Sequence, residues 1–238
     1  MTPPHQFLLD FLNNEIVSIT ALSFQVSLSA VFLGAIIGIP LGTLLGLKDF
    51  RGKQLVITLT NTFMGLPPVV IGLILYLLLS RSGFLGPLQL LYTPWAMILA
   101  QFIMAIPIIT GLSYSAIAVV PQRLIDHAVS LGASRRQLTW IIIREAKVGI
   151  LAALVAAFGG AISEVGAIML VGGNIRYLTR ALTTAIVLYT STGEFDIAIS
   201  LGIILLSTSF VVNLFLTHLQ SRYKPDARKG FKLPRFSD

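Results

Sequence analysis

Cysteine is absent from the 238 residues, which excludes a disulfide framework and any thiolate metal site. Charge is scarce: Asp, Glu, Lys and Arg make up 11% of the chain, where a soluble domain carries roughly a quarter. Histidine occurs only three times, at His5, His127 and His218, outside the long apolar runs or at the end of one. An intramembrane serine protease therefore lacks its base. Glu164 is the one acid well inside an apolar run, so a diaspartyl or carboxylate-metal centre is excluded as well. What abounds is apolar: 55% of residues are hydrophobic and the mean hydropathy is +0.86. That balance places side chains against lipid rather than only against one another.

Five apolar runs are long enough to cross a bilayer as helix, which takes about 20 residues. They cover approximately residues 21–47, 55–79, 95–120, 148–171 and 197–219. Helix is required because backbone amides in lipid must be satisfied within the segment. The expected fold class is an all-α membrane protein, one transmembrane domain over residues 1–238. The first run is too long for a signal-peptide core, and no Lys or Arg precedes Lys48. An amphipathic piece, residues 7–12, is expected to lie at the outer interface ahead of it.

The basic residues set the orientation. With the N-terminus outside, the inner segments hold Lys48, Arg51 and Lys53, then Arg123, Arg135, Arg136, Arg144 and Lys147, then the tail of residues 220–238. All but Arg81, Arg176 and Arg180 of the 17 cations then face inward. The net charge of +7 thus reports topology and contact with anionic lipid rather than a nucleic-acid partner.

Within this frame, Gly34, Gly38, Gly42 and Gly46 line one face of the first span and invite close approach by another helix. Pro40 should bend that span. Lys48–Lys53 resembles a phosphate loop only superficially, because the glycine spacing is wrong and Gln54 stands where a hydroxyl is needed. Pro67 and Pro68 force a break in the second span, tolerated mainly where protein or water surrounds it. With Thr58, Asn61 and Thr62 nearby, packing and path lining stand as equal readings. Pro107 lies in the third span. The fourth is rich in small residues and carries Glu164, read as a polar anchor or gate element ahead of a ligand. A short helix is expected over residues 181–189.

Residues 121–147 form a polar inward loop with helical chemistry. Pro121 suits a first turn, while Gly132 and Ala133 interrupt the segment as a turn or a close docking point. This segment resembles the coupling motif of ABC-importer membrane subunits: Asp126-His127-Ala128 stands for the acidic-Ala-Ala triplet, Gly132 is in register, and Ile142 follows ten residues on. The usual closing Leu-Pro is replaced by Arg144-Glu145, so the exit from a second short helix should differ. Residues 66–72, 163–167 and 172–175 together resemble the molybdate, sulfate and tungstate permease group. Residues 180–187 and 193–195 are most similar to its tungstate branch.

The resemblance implies the five-span core of a type I, binding-protein-dependent importer in a prokaryotic cytoplasmic (inner) membrane. It implies a homodimer, two cytoplasmic ATPase subunits carrying ATP and Mg, and an extracytoplasmic oxyanion-binding protein. No cofactor and no catalytic or metal residue is expected in this chain. Asp126, His127, Ala128, Leu131, Gly132, Ala133, Arg135, Arg136 and Leu138 would couple to the ATPase. Thr58, Asn61, Thr62, Pro67, Pro68, Ser163 and Glu164 are candidates for the path or gate, and Arg176 and Arg180 for contact with the binding protein. Molybdate or sulfate transport by the same architecture is the alternative. A channel independent of ATP would leave the 126–140 segment without a purpose.

Overall fold

The computed structural model describes the backbone of residues 4–222 and the side chains of residues 14–215, 217 and 218. The expected interfacial placement of residues 7–12 and the basic tail beyond residue 222 fall outside those descriptions. Among the described residues there is no strand.

The described residues form nine α-helices in order: α1 (Pro4–Leu47), α2 (Lys53–Met64), α3 (Pro68–Leu79), α4 (Pro94–Ala118), α5 (Gln122–Ser130), α6 (Arg135–Ile162), α7 (Gly166–Gly172), α8 (Leu182–Ser191) and α9 (Phe195–Arg222). Three of them, α1, α4 and α9, are long and apolar enough to cross a membrane alone. Two more spans form when the bent pairs α2 with α3 and α6 with α7 are each taken as one crossing. The five-span architecture follows, with two of the spans broken.

Helices α1 and α4 form the spine. A Cβ at Gly42 would lie 2.7 Å from the Thr110 carbonyl oxygen, and one at Gly46 would lie 2.5 Å from Ile117 Cγ2. At Gly34 and Gly38 the facing residues are Ala105 and Ile109. The four-residue glycine spacing is thus a contact stripe: only hydrogen fits between the two backbones. Pro40 sits inside α1, which runs through it as one helix.

The break between α2 and α3 is a bend of 93°. Its cause is local. Pro67 and Pro68 donate no amide, and each forces its predecessor out of the helical region. Pro67 is extended at φ −61° and ψ 122°, and Pro68 restarts the chain as a first-turn residue. The break between α6 and α7 bends 58° without any proline. There the Ser163 hydroxyl donates to the carbonyls of Gly159 and Gly160, at 2.7 and 3.2 Å. Glu164 Oε1 accepts the Ala167 amide at 2.9 Å and so starts α7. The fourth span, expected to be continuous over residues 148–171, is therefore two pieces.

The two bent spans pack on each other past their breaks. A Cβ at Gly72 would lie 2.6 Å from the Ala167 backbone, and one at Gly166 would lie 2.5 Å from Val69 Cγ2. Ile71, Leu75, Met97, Ile168 and Val171 fill the core between them and α4.

Candidate functional site

The segment joining α4 to α6 is an elbow. Pro121 caps α5 in an extended conformation. Helix α5 ends where Gly132 takes φ +81° and the Ala133 amide reaches back to the Ala128 carbonyl at 3.1 Å. That left-handed turn suits glycine, which has no Cβ to strain. Ser134 then caps α6: its hydroxyl accepts the Gln137 amide while Gln137 Oε1 accepts the Ser134 amide, a reciprocal box.

The expectation of a second short helix with its own exit is corrected here. Helix α6 starts at the elbow and continues unbroken into the membrane to Ile162. The replacement of Leu-Pro by Arg144 and Glu145 is the physical reason, since neither residue interrupts a helix. Arg144 lies over the Trp140 ring at 5.7 Å.

Ile125 and Leu138 of the elbow pack inward on Ile117, Ile142, Ala146 and Ile150, with Ala128 also buried. The opposite face is open. Asp126, His127, Gly132, Arg135 and Arg136 are exposed, as are Leu131 at 76% and Trp140 at 65%, and Ala133 is half-buried. Between the two helices lies an open concavity of about 640 Å³ edged by Leu124, His127, Leu131, Gln137 and Trp140. Charge around an apolar centre is the make-up of a docking surface.

The candidate path residues divide into two groups. Thr58, Asn61 and Thr62 share one exposed face of α2, with the threonine hydroxyls donating to Gln54 and Thr58 carbonyls at 2.9 and 2.8 Å. Ser163 is exposed at the end of α6 beside Gly159 and Gly160. Pro67 holds the first break open, while Pro68 and Glu164 meet around one cavity between the breaks. The Glu164 carbonyl also accepts the Thr183 hydroxyl at 2.6 Å, tying the second break to α8.

Arg176 and Arg180 converge on Glu15, a residue whose role the sequence alone did not expose. Glu15 is 2% exposed. Its carboxylate accepts Arg180 Nη1 at 2.8 Å, the Tyr189 hydroxyl at 3.0 Å, and Arg176 Nη2. Bonding to Glu15 raises the Arg176 pKa, and burial followed by its own bond to Glu15 pushes the Tyr189 phenol up. Thr179, fully buried, fixes the connector by donating to the Gly172 carbonyl at 2.6 Å and accepting the Ile175 amide at 2.9 Å. Only the separation of 161 and 165 residues between the partners hid this cluster.

Broken membrane-length helices joined through a polar elbow are an arrangement that membrane transport subunits use. Residues 38–225 match the family described as binding-protein-dependent transport system inner membrane component, and the chain belongs to that family. It is 45% identical over 212 residues to a probable anion ABC transporter permease protein of Haloferax volcanii, covering 87% of this chain and 91% of that one. It is 41% identical over 206 residues to the tungstate uptake system permease protein TupB of Peptoclostridium acidaminophilum, covering 87% and 90%. A methionine ABC transporter, MetNI, solved in inward-facing conformations, superposes with a TM-score of 0.73 at 17% identity over 94% of this chain and 100% of its own. The fold is that of a type I importer permease.

Proposed function

We propose that the chain is the permease subunit of an ATP-driven importer that takes up an oxyanion, tungstate ahead of molybdate or sulfate. The observation that carries the substrate class is the extended likeness to an anion permease and a tungstate permease, each matched over nearly its whole length. The exposed Asn61 amide on α2 accords with this, since a tetrahedral anion needs donors along its route, while the Thr58 and Thr62 hydroxyls give their protons to backbone carbonyls.

Two copies form the route between them, because one bundle fills its own centre with side chains. The N-terminus lies outside and the C-terminus inside. Two ATPase subunits hold ATP and Mg and grip the elbow through Asp126, His127, Leu131, Gly132, Ala133, Arg135 and Arg136, while Ala128 and Leu138 support that surface from beneath. An extracytoplasmic oxyanion-binding protein delivers substrate near Arg176 and Arg180. When ATP closes the ATPases, the elbows draw together and the spans open outward. Thr58, Asn61, Thr62, Pro67, Pro68, Ser163 and Glu164 line or gate the route.

The test is tungstate uptake into vesicles holding the permease, its ATPase and its binding protein, with molybdate and sulfate as competitors. Tungstate uptake that depends on ATP and yields last to sulfate supports the reading. Uptake of a neutral solute or a cation in place of any oxyanion overturns it.

A further inference from the structure

Between the two arms of the bent span α2–α3 lies a groove of about 640 Å³, floored by Leu41 and Leu44 of α1 and Ile106 of α4 and walled by Val56 and Phe63 of α2 and Ile74 of α3. Sites that enclose small organic ligands have capacities of about 300–1,000 Å³. Fourteen of the sixteen lining residues are apolar, and the two threonines do not change that character. Thr60 gives its hydroxyl proton to the Val56 carbonyl at 2.8 Å, and the Thr110 hydroxyl is buried away from the opening. A polar solute finds no partner there, so the groove suits hydrocarbon.

The mouth is different. Phe50 lines the groove and belongs to the turn of residues 48–52 that joins α1 to α2. Lys48 and Arg51 stand on either side of it in that turn, their Cα atoms within about 8 Å of its own. Both are exposed, and neither side chain has an ion-pair or hydrogen-bond partner among the described residues, whereas Lys53 is matched by Asp49 at 2.8 Å. Two positive charges are therefore left over. The turn follows directly on the membrane-length helix α1, which puts it at the level of lipid headgroups. From there the groove runs along α2 from Val56 to Phe63, about 10 Å, and on to α3. An acyl chain hanging from a headgroup at the surface takes that direction.

We propose that this groove binds one phospholipid of net negative charge, with its phosphate on Lys48 and Arg51 and an acyl chain along Val56, Phe63 and Ile74. Basic pockets between spans at the membrane surface select such headgroups. A zwitterionic lipid would bring a cation of its own to the same place. A second copy joined through this face by two-fold symmetry would set the turn against its twin, positive against positive. The site also stands apart from the route proposed above. Val56, Thr60 and Phe63 recur at i, i+4 and i+7 and form one stripe of α2, while Thr58 and Thr62 occupy the opposite side. A lipid seated here braces the bend from behind without entering the route.

The test is lipid binding by the purified, delipidated full-length chain in detergent, counted by native mass spectrometry during titration with phosphatidylglycerol or phosphatidylcholine of matched acyl chains. One phosphatidylglycerol per chain is expected, held about tenfold or more tightly than phosphatidylcholine. Lys48→Gln with Arg51→Gln should weaken it about 25-fold, each cation being worth about fivefold. Both side chains are exposed, so this variant should elute as the parent does on size-exclusion chromatography. Val56→Trp fills the groove and should remove the bound lipid, whereas Leu55→Trp, on the same helix but outside the lining, should not. Equal binding of the two lipids, or binding that ignores the cation and groove variants, overturns the proposal. A benzophenone side chain placed at Ile74 that crosslinks to a second copy rather than to lipid overturns it as well, in favour of an interface between chains. Binding rather than uptake is read, so failure here leaves the oxyanion reading untouched.

Discussion

Glu15 and Arg180 lie 165 residues apart in the chain and 2.8 Å apart in space, joining the N-terminal part of α1 to the connector before α8. Their side chains are 2% and 13% exposed, and Tyr189 and Arg176 close the cluster. A buried charge with this many donors is held because each partner would be costly to leave alone.

Removing the carboxylate should therefore be damaging. Glu15→Ala strands Arg180 in a buried position and is expected to cost on the order of 3 kcal/mol. That corresponds to a fall in Tm of about 6–12 °C for a chain of this size. Arg176→Ala should cost less, because that side chain is 43% exposed. Equal losses from the two variants would contradict the cluster's role.

The spine makes a sharper contrast between glycines. Gly42→Leu drives a side chain into the Thr110 carbonyl, already 2.7 Å from where Cβ would sit. Loss of folded, detergent-stable protein is expected on size-exclusion chromatography. Gly202→Ala on α9 meets nothing within 4 Å. It should be neutral or stabilising by up to about 1 kcal/mol.

The right-angle bend can be measured directly. Spin labels at Leu55 and Leu77 should report about 22 Å around the bend, against about 33 Å along a straight helix. Pro67→Ala with Pro68→Ala restores two amide donors and should move the distance towards the longer value. The same double variant should lower uptake at least tenfold if the bend shapes the route.

Elbow variants separate coupling from folding. Arg135→Glu with Arg136→Glu alters two exposed side chains and should leave stability within about 0.5 kcal/mol of the parent, a Tm shift of about 1–2 °C. ATPase co-purification and uptake should both fall more than tenfold. Intact association with normal uptake would show that the ATPase is held elsewhere.

How much of this was legible depended on how local each cause is. The glycine stripe of α1 and the paired prolines at 67 and 68 act within a few residues, so both could be read directly. Gly132 announced a turn, and its φ of +81° gives the reason. The break at Ser163 was hidden because hydroxyl and carboxylate groups make it by taking backbone hydrogen bonds, a choice the surrounding fold decides. The Glu15 cluster was hidden by distance: neither α1 nor the connector carries a signal for the other. The unbroken course of α6 was half visible. Arg144 and Glu145 flagged a departure, but only the backbone reveals that the helix never stops.

That unbroken course has a mechanical result. Twenty-eight residues of helix make a rod of about 42 Å, with its handle at the elbow and its tip at the second break. Tilting such a rod by ten degrees sweeps the tip through about 7 Å. A small push at the elbow would reach the second break without any relay of side chains in between.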